Sequence, residues 1–76
     1  MNKNTTKRIP LYKIAWCKIR YWQQLNDISD IDLAHCLDVS ERTLREYDKN
    51  AGNITLSRID RFLYAYNLSI TDLLNA

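Results

Sequence analysis

The stretch Ile28-Ser29-Asp30-Ile31-Asp32-Leu33-Ala34-His35-Cys36-Leu37-Asp38-Val39-Ser40-Glu41-Arg42-Thr43-Leu44-Arg45-Glu46-Tyr47 reads as two short helices separated by a tight connector. Ser29 can cap a helix whose first turn carries Asp30 and Asp32, where carboxylates suit the positive end of the helix dipole. That helix runs over about 30–37. Ser40 repeats the device, its hydroxyl able to accept an N–H from the turn that begins Glu41-Arg42-Thr43. The second helix covers about 41–48, which leaves Asp38-Val39 as the connector. Leu33, Leu37, Leu44 and Tyr47 recur at helical spacing, and with Ile59, Leu63 and Trp22 they form the predicted centre of one core.

Upstream, Pro10 suits the first turn of a helix because its missing N–H costs nothing there. The apolar spacing from Leu11 to Leu25 has a helical period, so a first helix is predicted over about 10–25. It is more apolar than a core requires: Ile14, Tyr21 and Leu25 flank the core stripe on one side and Trp16 on the other. These flanks are covered by the N-terminal segment and the last helix, or are left for a partner. Downstream, Lys49-Asn50-Ala51-Gly52-Asn53 is loop-rich, and Thr55 can then cap a helix with Leu56, Ile59, Phe62, Leu63 and Tyr66 on one face. That helix is expected to end near Asn67, with a last short turn beginning at Thr71 and Asp72. The reading is all-α, five helices with no strands and no internal repeat.

A chain of 76 residues is one domain, and at that size there is no room for a second module. A composition of 46% hydrophobic and 26% charged residues with one Gly and one Pro excludes a disordered chain. No apolar run approaches the roughly 20 residues needed to cross a bilayer, and MNKNTTKRIP lacks the apolar stretch of a secretory signal, so a cytoplasmic location is expected and no membrane partner. Cys17 and Cys36 stand outside any metal or redox spacing and are read as reduced, mostly packed thiols. His35, the single histidine, has no base, nucleophile or metal ligands arranged around it. The expectation is therefore no enzyme, no metal and no cofactor.

Charge is unevenly placed. Residues 1–25 hold six basic side chains (Lys3, Lys7, Arg8, Lys13, Lys18, Arg20) and no acidic one, whereas residues 26–76 hold five basic and nine acidic, a net of −4. Residues 1–9 are accordingly read as a basic flexible arm and 10–76 as the folded domain. A polyanion would meet the arm and the first helix most strongly.

In spacing, the opening stretch resembles the helix-turn-helix of the Cro/phage-repressor (xenobiotic response element) family. The likeness is carried by Ile28, Ser29, Leu33, Ala34, Leu37, Val39, Ser40, Leu44 and Tyr47. It continues through Leu56-Ser57-Arg58-Ile59 and Leu68-Ser69-Ile70-Thr71-Asp72-Leu73-Leu74, covering roughly 19–74. Ala34 fits it physically, since two helices crossing steeply need a small side chain at their closest approach. The resemblance implies a five-helix lambda-repressor-like domain and a sequence-specific DNA-binding regulator, a repressor of the phage or mobile-element type, whose third helix enters the major groove while the second braces against the backbone.

By the same resemblance, Glu41, Arg42 and Glu46 occupy positions turned toward base edges, and Thr43 and Arg45 are placed to reach bases or phosphates. Arg42 is the leading candidate, because a guanidinium can hold guanine O6 and N7 with two hydrogen bonds. Ser40 and Lys49 at the ends of this helix, with Lys3, Lys7 and Arg8 of the arm, complete the candidate DNA-binding set. Departures from the family pattern are Asp30 in place of a phosphate-contacting Gln and Asp27 and Asp38 in place of turn glycines. Gln23 and Asp48 stand where the family pairs an Arg with an acid, so at most a hydrogen bond is expected to tie helices 1 and 3. Residues 27–50 carry three basic and seven acidic side chains. Two readings therefore stand: a homodimeric regulator binding double-stranded DNA, and a helix-turn-helix domain turned to a protein partner through its acidic helix 2 and helix 3 surface.

Overall fold

The computed structural model describes residues 8–76. Five helices follow one another: α1 (Leu11–Leu25), α2 (Asp30–Leu37), α3 (Glu41–Lys49), α4 (Leu56–Ala65) and α5 (Ile70–Leu74). There is no strand among the described residues, and no helix is long and apolar enough to cross a membrane.

The start of each helix after the first is set by one hydroxyl. Ser29, Ser40, Thr55 and Ser69 accept hydrogen bonds from the backbone N–H of Asp32, Thr43, Arg58 and Asp72 respectively, satisfying donors that the first helical turn leaves over. The Ser69 cap starts α5 at Ile70, one residue ahead of the expected turn, and Asp72 completes a capping box by accepting from the Ser69 N–H. Pro10 sits just outside α1 as its N-terminal flanking residue, and α4 stops at Ala65, earlier than expected, as the chain turns through left-handed Asn67. Asp27, Asp38 and Asn67 all adopt positive φ, near 54°, 59° and 54°, a conformation that Asp and Asn tolerate better than most side chains.

α2 packs on both α3 and α4, and α5 lies on α1. Ile19, Leu33, Leu37, Leu44, Phe62 and Leu73 are wholly buried at the centre, with Ala15, Trp16, Ala34, Tyr47, Ala51 and Ile59 around them. The predicted core is thus found in Leu33, Leu37, Leu44, Tyr47 and Ile59, whereas Trp22 and Leu63 are only partly buried. Phe62 takes the central place, and Trp22 and Tyr66 pack against it with ring centroids 5.7 and 5.1 Å away, an edge-on and tilted arrangement that aromatic quadrupoles favour. Leu56, the first residue of α4, leaves the face assigned to it and is 79% exposed. Cys17 is exposed, not packed, and Cys36 is intermediate.

Candidate nucleic-acid interface

α3 separates its side chains cleanly. Leu44 and Tyr47 are buried, Asp48 is exposed at the edge beside Arg20, and Glu41, Arg42, Arg45, Glu46 and Lys49 are exposed on the far side. At about 100° per residue those five charges fall within an arc of about 140° centred opposite the buried pair. The face holds three cations and two carboxylates. Arg42 Nε lies 3.7 Å from Glu46 Oε2 one turn on, both side chains open to solvent, so the pair constrains the guanidinium weakly. Thr43 is half-buried, and its hydroxyl stands 3.0 Å from that of Ser40. Ser40 and Thr43 therefore build the helix start, while the outward charge comes from 41, 42, 45, 46 and 49. Arg8 is exposed ahead of Pro10; Lys3 and Lys7 lie outside the described residues.

Two further acidic side chains of the helix pair, Asp30 and Asp48, are held by Arg20. Its Nε and Nη2 donate to the two oxygens of Asp48 at 2.9 and 2.8 Å. Nη1 donates to Asp30 and to the Gln23 side-chain oxygen, both at 2.7 Å. The Trp16 indole N–H adds a 2.8 Å bond to Asp48, and the guanidinium carbon lies 5.4 Å from the Trp16 ring centre. One side chain of α1 thus grips the beginning of α2 and the end of α3. The expected link between Gln23 and Asp48 is not what forms: an ion pair from Arg20 replaces it, and buried Gln23 instead donates to Asp30 and to the Ile28 carbonyl at 2.8 and 3.0 Å. Trp16 is consequently covered by α3, with its ring 5.1 Å from that of Tyr47.

This network sets the local titration. Hydrogen bonds from Gln23 and then Arg20 hold the Asp30 carboxyl below the ordinary carboxylate range. Burial pushes Asp48 up, but the bonds from Arg20 and Trp16 together outweigh it and leave Asp48 below that range too. The hydrogen bond to Asp48 is the largest influence on Arg20, raising its pKa.

Two further arginines secure the other end of α2. Arg58 Nη1 donates to the carbonyls of Leu37 and Asp38 at 2.8 and 3.0 Å, and Arg61 Nε donates to the Cys36 carbonyl at 3.2 Å. These bonds satisfy carbonyls that the last turn of a helix leaves unpaired and place positive charge at its negative end. Sequence reasoning names none of Arg20, Arg58 and Arg61 as a structural residue. A signal for the last two is present: they stand three apart on α4, on the side facing α2.

With two braced helices, a charged outward face on the second and a fixed turn between them, the geometry is that of a helix-turn-helix. A family model for the Cro/C1-type HTH DNA-binding domain matches residues 18–76. The chain belongs to the Cro/C1-type helix-turn-helix family. No curated protein and no solved structure matches it. In this Cro/C1-type domain α2 and α3 are the paired helices, and the matched segment takes in Arg20, Gln23, Asp30 and Asp48 of the brace, with Trp16 just ahead of it. Among the described residues no group of three or more metal-ligating side chains comes together.

Proposed function

We propose that this chain is a sequence-specific transcriptional regulator, of repressor type, that lays α3 in the major groove of operator DNA. The observation that carries the reading is the α3 face, where every outward side chain is charged and cations exceed carboxylates. Arg42 and Arg45 supply base readout, with Glu41 and Glu46 accepting from cytosine amino groups. Lys49 and the arm residues Lys3, Lys7 and Arg8 supply phosphate attraction. An acidic docking surface across α2 and α3 is the weaker reading, because Arg20 already answers Asp30 and Asp48. On this reading the protein works in the cytoplasm.

Reading a palindromic site calls for two copies with their α3 helices about 34–36 Å apart. The α4–α5 face supports such a dimer. Tyr64 and Leu56 are the most exposed large apolar side chains, at 89% and 79%, and they border two hollows that share Asp60, Leu63 and Ile70. A protruding aromatic beside an apolar hollow is self-complementary, as a two-fold interface requires. Leu73, by contrast, is fully buried against α1 and takes no part.

The test is retention of duplex DNA selected from random sequence, measured at two salt concentrations. Deleting residues 1–8 is expected to weaken all sequences alike and flatten the salt dependence, by roughly 0.9 in slope for each phosphate that is no longer neutralised. No retention on any duplex at low salt overturns the proposal.

A further inference from the structure

The outer surface of α1 carries a pattern that neither the core nor the α3 face uses. Leu11, Ile14, Lys18, Tyr21 and Leu25 are spaced three, four, three and four residues apart, the a and d positions of two successive heptads. Leu11, Ile14, Tyr21 and Leu25 are all exposed along one 15-residue helix. Scattered apolar side chains on a surface need no explanation, but a continuous seam at this period is what a second helix packs against.

Charge decides what that helix is. Lys18 occupies the central a position, and no acidic residue occurs before Asp27. Two copies of α1 paired in register, parallel or antiparallel about residue 18, would set Lys18 against Lys18 in the middle of the seam. Residues 1–7 add Lys3 and Lys7 and no carboxylate, so they offer no complement either. On the neighbouring α5 the single side-chain carboxylate, Asp72, accepts from the Ser69 N–H in the capping box of its own helix. Among the described residues the Lys18 ammonium donates one bond, 2.9 Å to the Ala76 carbonyl, and an ammonium carries three donors.

We infer that the α1 seam is a docking site for an amphipathic helix of another protein, apolar at a and d and carrying a carboxylate that faces Lys18. A lone charged a position sets register and excludes the wrong partner, since like charges brought together at an interface are costly. This surface lies on the side of α1 away from Trp16 and Arg20, which meet α3, so docking leaves the α3 face open and would attach a second protein to the bound regulator.

The probes are two peptides with the same leucine heptads, one with Glu at the a position opposite Lys18 and one with Lys there, titrated by fluorescence anisotropy against the full chain. The acidic peptide is expected to bind roughly tenfold more tightly than the basic one, and Lys18→Glu to reverse that order. Leu11→Ser with Leu25→Ser weakens both peptides while duplex retention is unchanged. Equal binding of the two peptides, binding of neither, or a preference that survives Lys18→Glu overturns the inference. So does loss of self-association in the Leu11→Ser, Leu25→Ser variant, which would make a second copy the occupant, or binding of anionic lipid vesicles that the acidic peptide fails to displace. If duplex retention is absent but the acidic peptide binds as described, the DNA reading fails and this one stands.

Discussion

Arg20→Met keeps an unbranched apolar stem beside Trp16 and removes the guanidinium that joins three helices. The loss comprises a two-pronged pair to Asp48, a pair to Asp30 and a bond to buried Gln23. Asp30 and Asp48 side chains are 46% and 44% exposed, so water screens each ion pair and a full charge-assisted value cannot be assigned to either. Taking about 0.5–1 kcal/mol for each screened pair and about 1 kcal/mol for the Gln23 oxygen left without its donor, the expected destabilisation is about 2–3 kcal/mol. The acid limb provides a second readout. Both carboxyls have folded-state pKa values below their unfolded ones, so their contribution is fully present above the unfolded value near about 4 and is lost as pH falls through the folded values. Chemical denaturation at pH 7 should therefore show the full gap between wild type and Arg20→Met, and the gap should narrow as pH falls below about 4. A variant within a few tenths of a kcal/mol of wild type at pH 7, or a gap that does not change with acid, would refute the reasoning. Because the brace fixes α3 against α1, the variant should also lose discrimination between preferred and unrelated DNA when it is still fully folded.

Leu44→Ala empties a fully buried position where α3 meets α2 and should cost about 2–5 kcal/mol in equilibrium unfolding. Arg42→Ala should cost about 1–3 kcal/mol on the preferred site and far less on unrelated duplexes in the same mobility-shift series. Ser40→Ala removes the α3 cap and should lower stability by about 1 kcal/mol, measured by thermal unfolding. Tyr64→Arg at the α4–α5 hollow should leave the fold intact and shift sedimentation to the monomer, with half-site binding retained; an unchanged dimer would place the interface elsewhere.

The fold is legible because its punctuation is local. Ser29, Ser40 and Thr55 announce three helix starts, and Asp27 and Asp38 mark the turns with a residue type that accepts positive φ. Ser69 escapes notice because the apolar Ile70 behind it looks like the end of a loop. Trp22 is overrated and Phe62 underrated for one reason: periodicity gives the face of a helix but not which of several large side chains reaches the centre. The exposed charges of α3 are legible from the same periodicity, because Leu44 and Tyr47 fix its inward side.

What the linear sequence hides is the destination of the acidic side chains. Counted along the chain, residues 27–50 are net acidic, which argues against a phosphate backbone. Counted on the folded surface, Asp30 and Asp48 point to Arg20, which lies outside that window, and the α3 face retains Arg42, Arg45 and Lys49 against Glu41 and Glu46. Net charge is a sum over positions, whereas a ligand meets only those on one side. The link that corrects the sum spans 28 residues between Arg20 and Asp48, and no local pattern encodes a contact of that separation. A family pairing looked for at Gln23 points to the right helices, and the guanidinium that makes it stands three residues earlier on nearly the same side of α1. Moving the arginine by one turn keeps the tie between α1 and α3 and also frees Gln23 to hold the start of α2 through the Ile28 carbonyl. One helix of the scaffold thereby orients both members of the helix pair.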